Sequence, residues 1–86
     1  MRDGLEVDKY HTKRWWKDGA LHRIDGPAVE YTDGSASWYL NGERHRIDGP
    51  AYIYIGKFQL WYYQGVKINC SSQKGFERIL NLKAFW

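Results

Sequence analysis

HRIDGPA occupies residues 22–28 and returns unchanged at residues 45–51, 23 positions further on. A catalytic centre needs its residues once, whereas a stacked architecture needs them once per layer. Aligning outward on that spacing brings Trp15, Trp38 and Trp61 into one column. Trp16, Tyr39 and Tyr62 form an aromatic column beside it, and Tyr31 matches Tyr54. Asp18-Gly19, Asn41-Gly42 and Gln64-Gly65 share a turn position. Within a single domain over 1–86 the chain reads as one unit at 15–37, a second at 38–60 and a half unit at 61–69. The segment LEVDKYHTKR, ahead of Trp15, reads as a degenerate half unit.

Each unit is written in strand and turn chemistry. Asp-Gly and Asn-Gly supply the two positive φ angles that a type I′ hairpin turn requires. Asp33-Gly34 adds a second turn in the first unit, and Gly56 stands near the matching place in the second. Residues 51–54 and 58–63, rich in Tyr, Ile, Trp and Phe, are the clearest strands. Pro27 and Pro50 carry no N–H, so each belongs at a strand start or an edge. After Asn69 the period changes. Ser71 or Ser72 caps a helix predicted over about 73–85, with Phe76, Ile79, Leu80 and Lys83 at helical spacing. Leu82, Phe85 and Trp86 add apolar bulk to it. Laid over the last layer, such a helix covers an apolar face and an unpaired edge. The fold expected is all-β: a twisted, open array of antiparallel β-hairpins with a short C-terminal capping helix.

The chain resembles the MORN-type repeat proteins, whose 23-residue unit is also a β-hairpin. NGERHRIDG looks like that family's N-G turn and following His-Gly stretch, and YTDG like its Tyr-x-Asp-Gly step; the resemblance covers 15 to about 68. The loop departs from the family, with His-Arg-Ile-Asp-Gly-Pro-Ala where His-Gly is usual. That variant is similar to repeats of bacteriophage and large-virus proteins. The resemblance implies a small bacteriophage protein in the host bacterial cytoplasm that binds and inhibits a host protein of the defence, nuclease or toxin kind. Nucleic-acid binding and a membrane-surface scaffold are the alternatives.

The bulk numbers agree with a small binding domain. A chain of 86 residues buries about 60–65% of its unfolded surface, so its core is thin. Five Trp and seven Tyr compensate, each large ring burying about 150–250 Å². A net charge of +3 permits anionic partners without demanding them. A single cysteine, Cys70, forms no internal disulfide and reads as a small buried side chain in a reducing compartment. No apolar run approaches a membrane span.

The chemistry of the repeated loop reads as structural. Asp25 and Asp48 close Asx-type turns by accepting from backbone N–H groups; Gly26 and Gly49 take positive φ; Pro27 and Pro50 set strand entry. Arg23 and Arg46 pair with a carboxylate or stack on a ring, and Ile24 and Ile47 plug the core. On that reading, alanine at Asp25 or Asp48 costs about 1–3 kcal/mol where the hydrogen bonds are buried. A ladder of His22, His45, Asp25 and Asp48 makes no tetrahedral cage, and the third layer offers only Ile68 and Ser71. No metal, cofactor or catalytic role is assigned. Strand alternation puts Trp15, Trp38 and Trp61 on the core side and leaves tyrosines outside. Tyr39, Tyr52, Tyr54 and Tyr62 with Arg44 and Arg46 are the expected partner-binding residues, being the types enriched at hot spots. Unpaired edge strands also permit a homodimer.

Overall fold

Both central residues of the three shared turns lie at positive φ: Asp18 51° and Gly19 81°, Asn41 52° and Gly42 83°, Gln64 49° and Gly65 85°. The computed structural model, which describes residues 3–83, is built outward from these three tips. Its strands are β1 (Gly4–Val7), β2 (Lys13–Lys17), β3 (Ala20–Leu21), β4 (Val29–Glu30), β5 (Ala36–Ser37), β6 (Tyr39–Leu40), β7 (Glu43–Arg44), β8 (Tyr52–Tyr54), β9 (Phe58–Tyr63) and β10 (Val66–Ile68). A helix, α1 (Gln73–Lys83), follows. The main sheet runs β1-β2-β4-β5-β8-β9-β10, all neighbours antiparallel, with β3 paired to β2 and β6 to β7. The path is open, and the molecule is a slab of 41 × 30 × 17 Å.

The register carries the period of the sequence. Glu6 opposite Arg14 recurs as Val29 opposite Ser37 and as Tyr52 opposite Leu60. Trp16 opposite Leu21 recurs as Tyr39 opposite Arg44 and as Tyr62 opposite Lys67. Each step is 23 residues, so the front segment 4–14 occupies a half layer of the same kind. Within a layer the long strand serves twice. In β9 the first half pairs with β8 and the second with β10; in the middle layer the same strand is interrupted at Trp38, between β5 and β6.

Gln64 is the weak point of the turn column. A side chain without local hydrogen bonding in the left-handed region costs about 1–2 kcal/mol, which Asn largely relieves. Gln64→Asn is expected to raise stability by about 0.5–1 kcal/mol, read from the urea midpoint at unchanged slope.

The apolar core gathers at the helical end. Trp61, Ile68 and fully buried Phe76 form its centre, with Tyr63, Cys70, Ile79 and Leu80 packed around them. Ser72 caps the helix: the Gly75 N–H donates to its Oγ at 3.1 Å and the Phe76 N–H to its carbonyl at 3.0 Å. Gln73 fastens the helix to the sheet, accepting from the Trp61 indole at 2.8 Å and donating to the Ile47 carbonyl at 3.0 Å. The helix is observed to Lys83; the expected contributions of Phe85 and Trp86, and of the Leu82 side chain, lie outside the described residues. Of the Trp column only Trp61 is buried, whereas Trp15 and Trp38 are half-buried in the sheet and are covered by other means.

Candidate functional site

The covers are the two repeated loops. The Arg23 guanidinium lies 3.9 Å from the centre of the Trp15 ring, and Arg46 lies 3.8 Å from that of Trp38. Each arginine donates through Nε to the aspartate two residues on, Asp25 at 3.0 Å and Asp48 at 2.9 Å. Each also donates to the carbonyl of the loop proline, Pro27 at 3.2 Å and Pro50 at 3.1 Å. Arg23 reaches Glu30 as well, at 3.0 Å; the matching position in the second layer is Ile53. Below the lids Ala28 and Ala51 are fully buried, and their carbonyls accept from the Trp15 and Trp38 N–H groups. The septet thus folds an arginine back over the tryptophan of its own layer.

Three sequence expectations for this loop need correction. Gly26 and Gly49 are not at positive φ. Their small size makes room for the lid, because a Cβ at Gly26 would lie 3.1 Å from the Arg23 Cζ, and one at Gly49 only 2.6 Å from that of Arg46. Asp25 and Asp48 do not close buried Asx turns. Their hydrogen bonds come from the arginines, and their side chains are 85% and 81% exposed. Losing either carboxylate therefore costs what a surface ion pair contributes, well under 1 kcal/mol, not the loss of a buried bond. Ile24 and Ile47 do not plug the core, since they are 85% and 58% exposed. The arginine, folded inward over the indole, occupies the side of the loop that an isoleucine would have needed.

Histidine joins one layer to the next. The His22 Nδ1 accepts from the Asn41 N–H at 2.9 Å, and the His45 Nδ1 from the Gln64 N–H at 2.8 Å. In the first layer the same place, the Asp18 N–H, is taken by the Asp3 carboxylate at 2.6 Å. A ring that accepts at Nδ1 must be neutral with its proton on Nε2. Burial lowers the His45 pKa below its ordinary 6.5, with Glu43 opposing the shift. The unfolded chain then binds more protons, so stability is full above pH 6.5 and falls as pH drops toward the folded value. Urea midpoints between about pH 8 and pH 5 should decline over that window. In His45→Gln, which keeps an acceptor but does not titrate, the decline should flatten.

On the other side of the sheet four of the expected binding residues come together. Arg44 lies 5.3 Å from the Tyr39 ring centre, 4.9 Å from Tyr52 and 5.1 Å from Tyr62, and donates to the Tyr39 hydroxyl at 2.9 Å. Tyr52 is on β8 of the main sheet, whereas Tyr39 and Arg44 are on the separate β6-β7 pair, so Arg44 bridges the two sheets. The Arg44 Nε is buried without a hydrogen-bond partner among the described residues. Exposed Phe58 extends the cluster, 6.0 Å from Tyr52 and 5.4 Å edge-on to exposed Tyr54. Phe58 was expected only as part of a strand and not as a binding residue, although strand parity with Leu60 and Tyr62 places it there. Arg46 stands apart from this group, on Trp38.

A groove of about 550 Å³ runs between the two loops, lined by Arg23, Ile24, Trp38, Leu40, Arg46 and Ile47 among others. Its rim is formed by adjacent copies of one motif. Leu40 reaches it because Trp38 and Leu40 alternate away from Tyr39. Elsewhere, burial pushes the Cys70 thiol up, away from thiolate. Among the described residues no three His, Cys, Asp or Glu side chains converge as metal ligands, and no helix is long and apolar enough to cross a membrane. Compared with protein-family models, curated proteins and solved structures, the chain matches none of them.

Proposed function

We propose that this chain is a non-enzymatic, MORN-like protein-binding module that docks a partner on the edge formed by its two HRIDGPA loops. One observation carries the reading. Within the septet, His bonds the next layer, Arg lids the tryptophan, Asp holds Arg, Gly clears space for it, the Pro carbonyl accepts from it, and Ala is buried. Only the isoleucine side chain turns outward without such a task, Ile47 serving the fold through its carbonyl alone, yet isoleucine stands in both copies, 85% and 58% exposed beside the groove. With Trp38 and Leu40, the two isoleucines line one groove, and an apolar patch of that kind supports contact with another molecule. Tyr54 and Phe58 provide a second exposed contact at the end of the tyrosine cluster. The loop arginines are spent on their own aspartates and indoles, which favours a protein over nucleic acid. The resemblance of the loop to viral repeats makes a host protein of the defence, nuclease or toxin kind the partner to seek, in the host cytoplasm, with inhibition by steric cover.

The test is capture from bacterial lysate by the intact chain and by Ile24→Ser/Ile47→Ser, with and without nuclease, at low and moderate salt. One stoichiometric protein that survives nuclease and is lost with the double variant supports the reading. Recovery of nucleic acid alone, or equal capture by the variant, overturns it.

A further inference from the structure

We infer that the segment received by the loop edge is an apolar stretch flanked by lysine or arginine. This rests on the loop edge being the docking surface, and adds what the partner must carry. The lids sort the loop charges by depth. Arg23 and Arg46 are folded inward, with side chains 23% exposed, whereas the partner aspartates are 85% and 81% exposed. Each aspartate gives Oδ1 to its arginine, and with more than four-fifths of its side chain exposed it keeps acceptor capacity toward the outside. An approaching molecule therefore meets two carboxylates beside two isoleucines. Trp38 and Leu40 form the apolar floor between them. An acidic segment would bring carboxylates against Asp25 and Asp48. A purely apolar one would leave the outer oxygens desolvated without a donor, which is costly. A basic-apolar segment satisfies both, its cations on the carboxylates and its apolar side chains between the isoleucines. A second copy of the chain presenting this same edge is disfavoured, since it would oppose aspartate with aspartate.

The experiment uses the intact chain with methyl-labelled isoleucine and two short synthetic peptides, one alternating leucine with lysine, the other leucine with glutamate. The lysine peptide is expected to shift the Ile24 and Ile47 methyl signals. Binding should be about tenfold weaker in Asp25→Asn/Asp48→Asn, as expected for the loss of two rim ion pairs. Asparagine keeps an acceptor for each arginine, so the lids and the melting curve should hold. The glutamate peptide should bind more weakly still. If the glutamate peptide binds as tightly as the lysine peptide at these methyls, the charge assignment is overturned and the docking edge stands. If neither peptide moves them, or if binding survives Ile24→Ser/Ile47→Ser, the edge itself is wrong and the inference falls with it.

Discussion

Phe76→Ala should cost about 3–5 kcal/mol, the range for truncating a buried phenylalanine. No part of Phe76 is exposed, and it sits on Trp61 and Ile68, the only other buried residues of that core among those described. A domain of this size has about 4–13 kcal/mol of stability to lose. The melting temperature should therefore fall by about 15 °C or more. The loss should be cooperative, because Gln73 ties the helix both to the Trp61 indole and to the Ile47 carbonyl in the second loop. Helix and sheet signals should disappear together in a thermal melt. A variant that melts within 1 °C of the parent would mean that the helix is only laid on the array and does not complete its core.

Gly49→Ala should cost about 2 kcal/mol, although alanine suits the backbone there. The added Cβ would meet the Arg46 guanidinium at 2.6 Å, and the flexible end of that side chain is what must move. Once displaced, the arginine loses the face of Trp38, about 0.5–1 kcal/mol or more, and its bond to the Pro50 carbonyl, about 1 kcal/mol. Gly26→Ala, where the gap is 3.1 Å, should cost less than half as much. A double-mutant cycle separates lid from loop. With Arg46→Ala already in place, Gly49→Ala should be neutral or slightly stabilising, since alanine restricts the unfolded chain. An unchanged cost in that background would assign the glycine to the loop backbone instead.

The turns were the most legible feature, because their signal is local. Asp-Gly and Asn-Gly announce positive φ by themselves, and Gln64-Gly65 was recognised only through its place in the column. The clear strands follow the same rule: 58–63 was expected and is observed, and 51–54 starts one residue later, at Tyr52. The loop was less legible because its residues act on neighbours that are close in space but separated in sequence. Nothing local says that Arg23 will turn back over Trp15, or that Gly26 is small on its behalf. The expectation of a core isoleucine and a turn-closing aspartate rested on residue type. The arginine's fit over the indole inverted both, placing the apolar side chain in solvent and the carboxylate around its rim. The tyrosine cluster was half legible: parity puts Tyr39 and Tyr62 on one side, while the approach of Arg44 to Tyr52 depends on how the β6-β7 pair sits against the main sheet.

From the sequence alone came the period of 23, the antiparallel hairpins, the three turn positions and a terminal helix. All of these depend on spacing and on backbone preferences that act over a few residues. The tertiary structure decided which member of the septet faces inward, how histidine links one layer to the next, and which surface is left for a partner. Those outcomes depend on competition for space between side chains that are separated in sequence and meet only when each layer folds back on itself and stacks on the next.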